Sequence, residues 1–340
     1  MGKASRQAAR ERIRQERIRE QKRAKRNRVL MVVGAAAVVV LLVVGVGYLF
    51  MNRGGPGPDR EELYAALPEQ TVQQDGSVVV AGEDVSAPVV EVYADFQCPA
   101  CQRFEEGESG AELLEMAGDG EAIVHYRPVS IFAQRQAPLS TNSLRGAAAA
   151  RAAAEHGEFV EYADILFNNQ PAEGDAGFAP DDLKEWGADV GIESAEFTER
   201  IDSEVEVADQ YSDYYQQLVS AAQDSLSEEE LSSTTMPELM EWGDEQGIDS
   251  SFLEGSYVKE VLDATDEANA RYDGENAFTS TPSVYVNGQS VGDQAVFSAS
   301  GLRSAVEDAE PGEVTTEPLA SDSDAASAED DSGQPPETEE

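Results

Sequence analysis

Asp95-Phe96-Gln97-Cys98-Pro99-Ala100-Cys101 holds the only two cysteines of a 340-residue chain, two residues apart. Ala87-Pro88-Val89-Val90-Glu91-Val92-Tyr93, β-branched and largely apolar, leads into it and reads as a buried central strand. The residues after it favour helix from 99 to 117, with Gly107 and Gly110 predicting a kink or break. A cysteine pair at this spacing closes a small, reversible disulfide. A thiolate, not a thiol, attacks a disulfide, and a helix N-terminus supplies the N–H donors and dipole that favour it. Pro99 fits the first helical turn, where its missing N–H costs nothing. Cys98 is therefore expected to be the exposed nucleophile, with Cys101 resolving the mixed disulfide.

Other chemistries fit the same residues less well. A structural zinc needs four ligands, and His125 and His156 are the only histidines, without paired spacing. No metal is expected. A purely structural disulfide would close too short a loop to stabilise much, and a cysteine hydrolase would need one of those histidines as base. Both read as ordinary structural residues.

Outward from the pair, a strand is expected at Ser77–Val80 and another at Ala122–Arg127, then a helical block from Ser143 to about Asp266. Ser283-Val284-Tyr285-Val286 returns to strand, Asn287-Gly288 signals a two-residue hairpin, and Phe297–Val306 reads as a closing helix. Strands interrupted by helices imply an α/β fold with a mixed sheet covered on both faces. Within the helical block, Leu183-Lys184-Glu185-Trp186-Gly187 recurs as Leu239-Met240-Glu241-Trp242-Gly243, and the repeat extends over 183–194 and 239–250. Two similar core helices anchored by tryptophan explain it more simply than a recognition surface does.

Charge divides the chain. Residues 1–28 carry twelve Lys/Arg and three Glu, whereas residues 29–340 carry twelve Lys/Arg against sixty-four Asp/Glu. Between the two lies Val29 to Met51, 23 residues without a charge, long enough to cross a hydrocarbon core of roughly 30 Å. The basic excess on its N-terminal side places residues 1–28 in the cytoplasm as a basic tail and the remainder outside. No small-x-small cleavage site follows, so the segment reads as an uncleaved signal-anchor, a single transmembrane helix. The basic tail lacks interleaved aromatics, which argues against nucleic-acid binding. Residues 52–70, opening with Gly54-Gly55-Pro56-Gly57-Pro58, read as a linker. Residues 310–340 hold eleven acidic residues and no basic one, and are expected to be a disordered tail. So acidic an exterior predicts adaptation to high external salt or an acidic cell-wall setting.

Four ordered stretches carry a family resemblance. Asp95 through Phe104 resembles the active-site run of the DsbA-like branch of the thioredoxin superfamily. Ala81-Gly82-Glu83-Asp84-Val85-Ser86-Ala87-Pro88 resembles the entry to that branch's central strand. Ala152 through Phe159, on to Asn169-Gln170, is similar to the start of its inserted helical domain. Ser280-Thr281-Pro282-Ser283-Val284-Tyr285-Val286-Asn287-Gly288 resembles its cis-proline strand and hairpin. The resemblance implies a thioredoxin-like domain over 71–309 with a large helical insertion at about 141–266. It implies a cis-proline at Pro282 opposite the cysteines, with Thr281 offering backbone groups to an extended substrate.

As implied activity follows dithiol–disulfide exchange on exported polypeptides carrying free thiols or disulfides, with no cofactor beyond the Cys98–Cys101 disulfide. A membrane partner of the DsbB or vitamin K epoxide reductase-like type would reoxidise the pair. Introduction of disulfides is the favoured direction; a reductase or isomerase, or a non-enzymatic chaperone or adaptor, are the alternatives. Three features depart from the family. The repeated segment around Trp242 makes the helical insertion longer than the family usually needs. Pro99-Ala100 lacks the histidine of the most oxidising members. The position six before Cys98, often acidic, is Val92, leaving Glu91 and Asp95 as the nearby carboxylates for proton support.

Overall fold

The structure, a computed structural model, describes residues 60–83 and 85–316. The apolar run Val29–Met51 and the basic tail lie outside them. Among the described residues no helix is long and apolar enough to cross a membrane.

Six strands form one mixed sheet: β1 (Gln70–Val72), β2 (Val78–Val80), β3 (Val89–Ala94), β4 (Ile123–Pro128), β5 (Ser283–Val286) and β6 (Gln289–Ser290), ordered β1-β2-β4-β3-β5-β6. β3 and β4 run parallel, with Val92 opposite Tyr126, and every other pairing is antiparallel. A parallel pair needs a crossover. It is made by two helices, α2 (Pro99–Glu105) and α3 (Glu108–Gly118). The expected break falls at Glu106-Gly107, while Gly110 lies inside α3, where a Cβ would meet the Glu105 carbonyl oxygen at 2.4 Å. Asn287 and Gly288 both have positive φ (47° and 77°), as the tight β5–β6 turn requires.

β3 is buried along its whole length, and its two faces differ. Val90, Val92 and Ala94 point with Val124 and Tyr126 into an apolar layer built from α3 and α5 (Phe159–Asn168); the Tyr126 and Phe159 rings lie 5.3 Å apart. Each such aliphatic side chain stabilises by roughly 1.5–3 kcal/mol when fully buried. The opposite face carries Glu91, Tyr93, His125 and Arg127.

The helices between β4 and β5 are α4 (Leu139–Ala154), α5, α6 (Pro180–Asp189), the 31-residue α7 (Ala195–Ser225), α8 (Glu228–Ser233), α9 (Met236–Glu245) and α10 (Tyr257–Arg271). They begin and end a few residues outside the expected Ser143–Asp266 block. The alanine run of α4 lets α7 approach closely, and α10 covers the charged face of the sheet. The repeat is a packing device. Gly187 and Gly243 take α6 and α9 against α7; a Cβ would meet Phe197 Cε1 at 2.2 Å and Leu218 Cδ1 at 2.4 Å. Each helix ends alike, at Gly191 (φ 88°) or Gly247 (φ 82°), with the next isoleucine N–H bonding back to Gly187 O (2.8 Å) or Gly243 O (2.9 Å). That is a Schellman closure with its apolar residue tucked inward. Trp186 and Trp242 are half-buried against the same core.

Two expectations are corrected, and one element gains a short neighbour. The linker assigned to 52–70 contains a helix, α1 (Arg60–Ala66), which packs on α3 and is tied by Arg60 to Asp164 at 2.8 Å. The expected closing helix is present as α12 (Ala299–Glu307), started by the Ser298 hydroxyl accepting from Gly301 N–H and preceded by a short helix, α11 (Asp293–Val296). The tail from 310 is not free at its start. Gly312 N–H bonds Ala87 O (3.0 Å), Arg127 Nη2 donates to Thr315 O (2.7 Å), and Val314 packs on the cluster of Ala87, Val89 and Ile123. Residues beyond 316 lie outside the described ones.

Candidate active site

β3 runs out at Ala94 and the chain turns at Asp95, whose carbonyl accepts Cys98 N–H at 3.0 Å. Cys98 then takes extended dihedrals (φ −86°, ψ 117°) as the N-cap of α2, with Pro99 in the first turn. Its sulfur faces the N–H groups of Ala100 and Cys101 in that turn, and the sulfurs of Cys98 and Cys101 are unbonded to each other. Cys98 is the outer of the two but only 6% exposed, and Cys101 is fully buried. The expectation of an exposed Cys98 is thus corrected.

The reason is a ring of glutamines and a loop. Gln170 Nε2 donates to Phe96 O (2.9 Å) and Cys98 O (3.2 Å), Gln97 Nε2 to Pro171 O (2.7 Å), and Gln102 Nε2 to Phe167 O (2.8 Å). Phe96 stacks on Phe167 with centroids 4.6 Å apart. It also presses on Gly146 of α4, where a Cβ would meet Phe96 Cβ at 2.7 Å. From the other side the Thr281–Pro282 peptide, which is cis, brings the Thr281 carbonyl 3.3 Å from Cys98 Sγ. Residues separated by some 180 positions therefore meet at one sulfur, as the spacing of the motifs alone did not require.

Electrostatics divide the two thiols. The Cys98 thiol is lowered to about 5, first because Cys101 hydrogen-bonds to it and then through Thr281 and the N–H groups of Cys101 and Ala100, against burial. Burial, then the neighbouring Cys98, push the Cys101 thiol well up. One sulfur is thus an anion near neutral pH, and the other holds its proton.

The two candidate carboxylates separate in the same way. Glu91 lies on the charged sheet face, 3.1 Å from Arg127 Nε, 3.5 Å from Arg271 and 2.7 Å from the Tyr272 hydroxyl. It is a buried ion-pair partner. Asp95 is buried beside the cysteines without a cation. Its oxygens accept from Gln97 N–H (2.8 Å), Ser143 Oγ (2.8 Å) and Phe132 N–H (3.3 Å), and its own N–H points at Cys101 Sγ (3.5 Å). Burial raises its carboxyl to about 7, against those hydrogen bonds. His125 is bonded to Ser77 Oγ (2.6 Å) in the sheet, where burial lowers its imidazole to about 3. His156 lies edge-on to Phe197.

Sequence reasoning missed Gln170, Ser143 and Glu105. Ser143 sits on α4 and Gln170 in the loop just past α5, with no spacing signal linking either to the cysteines. Glu105, four residues after Cys101, lines a water-sized cavity of about 20 Å³ with Val92, Phe96 and Phe167, and burial raises its carboxyl to about 7. Arg60 of α1 donates to its backbone carbonyl.

A family model described as thioredoxin matches residues 74–308. The chain belongs to the thioredoxin family. Its mixed sheet and many helices form a thioredoxin-like α/β fold. Solved structures similar to it include MdbA from Actinomyces oris, a thiol-disulfide oxidoreductase: 16% identity, 72% of this chain and 92% of that one, TM-score 0.46. MdbA from Corynebacterium matruchotii aligns at 17% identity over 68% and 89% of the two chains (TM-score 0.44). DsbA from Mycobacterium tuberculosis aligns at 19% over 74% and 99% (TM-score 0.43). No curated protein matches the chain.

Proposed function

We propose that this thioredoxin-family chain is a DsbA-like thiol–disulfide oxidoreductase that introduces disulfides into exported polypeptides. The observation that carries the reading is the asymmetry of the pair: Cys98 caps the N-terminus of α2 with its sulfur against the Thr281 carbonyl, and Cys101 is fully buried behind it. The hydrogen bond from Cys101 leads in lowering the first thiol to about 5, and burial raises the second. In the oxidised enzyme a substrate thiolate attacks Cys98 Sγ. A bond forms between the two sulfurs, the Cys98–Cys101 bond breaks, and Cys101 leaves with the electron pair and takes up a proton. The second substrate thiolate then attacks the substrate sulfur of the mixed disulfide and expels Cys98. Two electrons have passed from substrate to the cysteine pair. A sulfur lowered to about 5 is a good leaving group, which favours this direction over reduction.

We assign proton support for Cys101 to Asp95, a buried neighbour whose N–H points at Cys101 Sγ, and the Thr281 carbonyl is the acceptor an extended substrate strand would find beside Cys98. Val29–Met51 anchors the chain with its redox domain outside, and a membrane protein of the DsbB or vitamin K epoxide reductase-like type reoxidises the pair. The alternative, a reductase or isomerase, uses the same steps reversed.

In cells, Cys101→Ala is expected to accumulate mixed disulfides that vanish when Cys98 is also replaced, and alkylation trapping of the wild type should find a mostly oxidised pair. Absence of mixed disulfides would remove the exchange reading. A mostly reduced pool would turn its direction.

A further inference from the structure

The charge map holds an exception at the reacting end. Eleven Lys and Arg lie among the described residues. Nine of them, from Arg60 to Arg303, have a carboxylate within 4.0 Å. Arg103 and Arg135 have none among the described residues, in a chain with a formal charge of −43. With carboxylates so abundant, two exposed guanidiniums left unpaired require an explanation of place.

Both frame the cysteines. Arg103 stands on α2 four residues after Pro99, on the same exposed stripe and about 6 Å further along the axis. Arg135 lies in the loop after β4. Because β3 and β4 are parallel, that loop and Cys98 emerge at the same end of the sheet. The loop is fixed to the site by Phe132 N–H on the Asp95 carboxylate, and Arg135 N–H bonds Phe132 O at 2.8 Å. A second observation marks Arg103. Its guanidinium lies 4.6 Å from the centroid of Phe297, the one large apolar side chain exposed among the described residues, at 38%. Stacking leaves the edge of the guanidinium, with its N–H donors, free for a carboxylate. The neighbouring Glu106 is engaged by Gln102 Nε2 (3.1 Å).

We propose, building on the oxidoreductase reading, that Arg103, Phe297 and Arg135 form a specificity surface for acidic polypeptides. A substrate carboxylate close to the reacting cysteine pairs with Arg103, an adjacent apolar side chain rests on Phe297, and a carboxylate on the other flank meets Arg135. The long-range field of so acidic a chain repels such substrates. Screening confines that field to about 10 Å at 0.1 M salt, so contact pairs at the site decide which chain reacts.

The test uses the oxidised full-length chain and two dithiol peptides that differ only in flanking residues, two Glu in one and two Lys in the other. At about 0.1 M salt the wild type is expected to oxidise the Glu peptide about threefold faster. Arg103→Glu with Arg135→Glu should invert the preference, a total change of about tenfold, and at about 1 M salt the two rates should converge. A wild type that favours the Lys peptide or treats both alike, or a variant that keeps the wild-type ratio, overturns the proposal while leaving the oxidoreductase reading intact. No exchange with either peptide overturns both. Should the double reversal fail to fold, Arg103→Gln with Arg135→Gln is expected to abolish the preference, and an unchanged ratio there counts against it equally.

Discussion

Glu91 and Asp95 are buried carboxylates four residues apart on one strand and its exit, 4% and 0% exposed, yet they do opposite things. Glu91 meets two guanidiniums and a phenol. Asp95 meets two backbone N–H groups and one hydroxyl, all neutral. Ion pairs tie Glu91 into the scaffold, whereas Asp95 is buried among neutral donors, and that burial pushes its carboxyl up to about 7. The charged network therefore belongs to the scaffold, on the sheet face under α10, and the titratable acid belongs to the cysteines. The lesson is that burial alone does not make a carboxylate functional; what decides is whether the partner carries charge.

The most severe way to break this contrast is to strip Glu91 of the nearer of its two guanidiniums. Arg127 also reaches Asp75 at 3.0 Å and Glu267 at 3.7 Å, so Arg127→Ala leaves three carboxylates short of one guanidinium. A loss of about 3–5 kcal/mol is expected in denaturant unfolding. The pH midpoint of Cys98 alkylation should stay where it is in the wild type. A shifted midpoint would mean that scaffold and site are not electrically separate.

Asp95 gives the second, comparable effect, but only across a pH window. Its folded-state carboxyl sits at about 7, above its ordinary range. The native chain therefore holds this proton more tightly than the unfolded chain. Stability from this source is full below about pH 4 and is lost as pH rises through about 7, with a limit of roughly 4 kcal/mol. Asp95→Asn removes the titration. Denaturant unfolding of reduced wild type and variant should show the asparagine chain gaining on the aspartate chain from pH 4 to 7, and no further change above. A constant difference across that range would assign Asp95 to the structural class of Glu91.

Much of this was legible beforehand, and the limits have physical causes. The strand–Cys98–Pro99–helix order follows from local rules, since a proline in a first turn and an apolar β-branched run each act over a few residues. The Asn287-Gly288 turn is legible for the same reason. Local rules also revealed the repeat, although only the structure showed that Gly187 and Gly243 serve one helix between them. What was not legible depends on distant partners. Glu91 and Asp95 look alike in the chain because Arg271, Tyr272 and Ser143, which distinguish them, arrive from other elements. The exposure expected of Cys98 failed because Gln170 closes over it from 72 residues away. The acidic composition of residues 310–340 concealed the pinned segment at their start, since its hold depends on backbone carbonyls and N–H groups rather than on side-chain type.

That pinned segment supplies the smallest test of the contrast, since it touches the scaffold side alone. Ending the chain after Ala309 removes the Gly312–Ala87 bond, the Glu310 carbonyl held by Asn287 Nδ2 (2.7 Å), the Thr315 carbonyl held by Arg127, and the packing of Val314. At about 0.5–1.5 kcal/mol for each net hydrogen bond in a half-exposed setting, a loss of about 1–3 kcal/mol is expected. It should fall below that of Arg127→Ala, because Asp75 and Glu91 still hold the guanidinium. Ending the chain after Thr316 removes nine carboxylates but none of these bonds, and should leave unfolding in denaturant within about 0.5 kcal/mol of the full chain. If ending the chain after Thr316 instead cost as much as ending it after Ala309, the charged residues beyond 316 rather than backbone pairing would be what the tail contributes. The division between a charge-locked scaffold and a titratable site would then extend into the acidic tail.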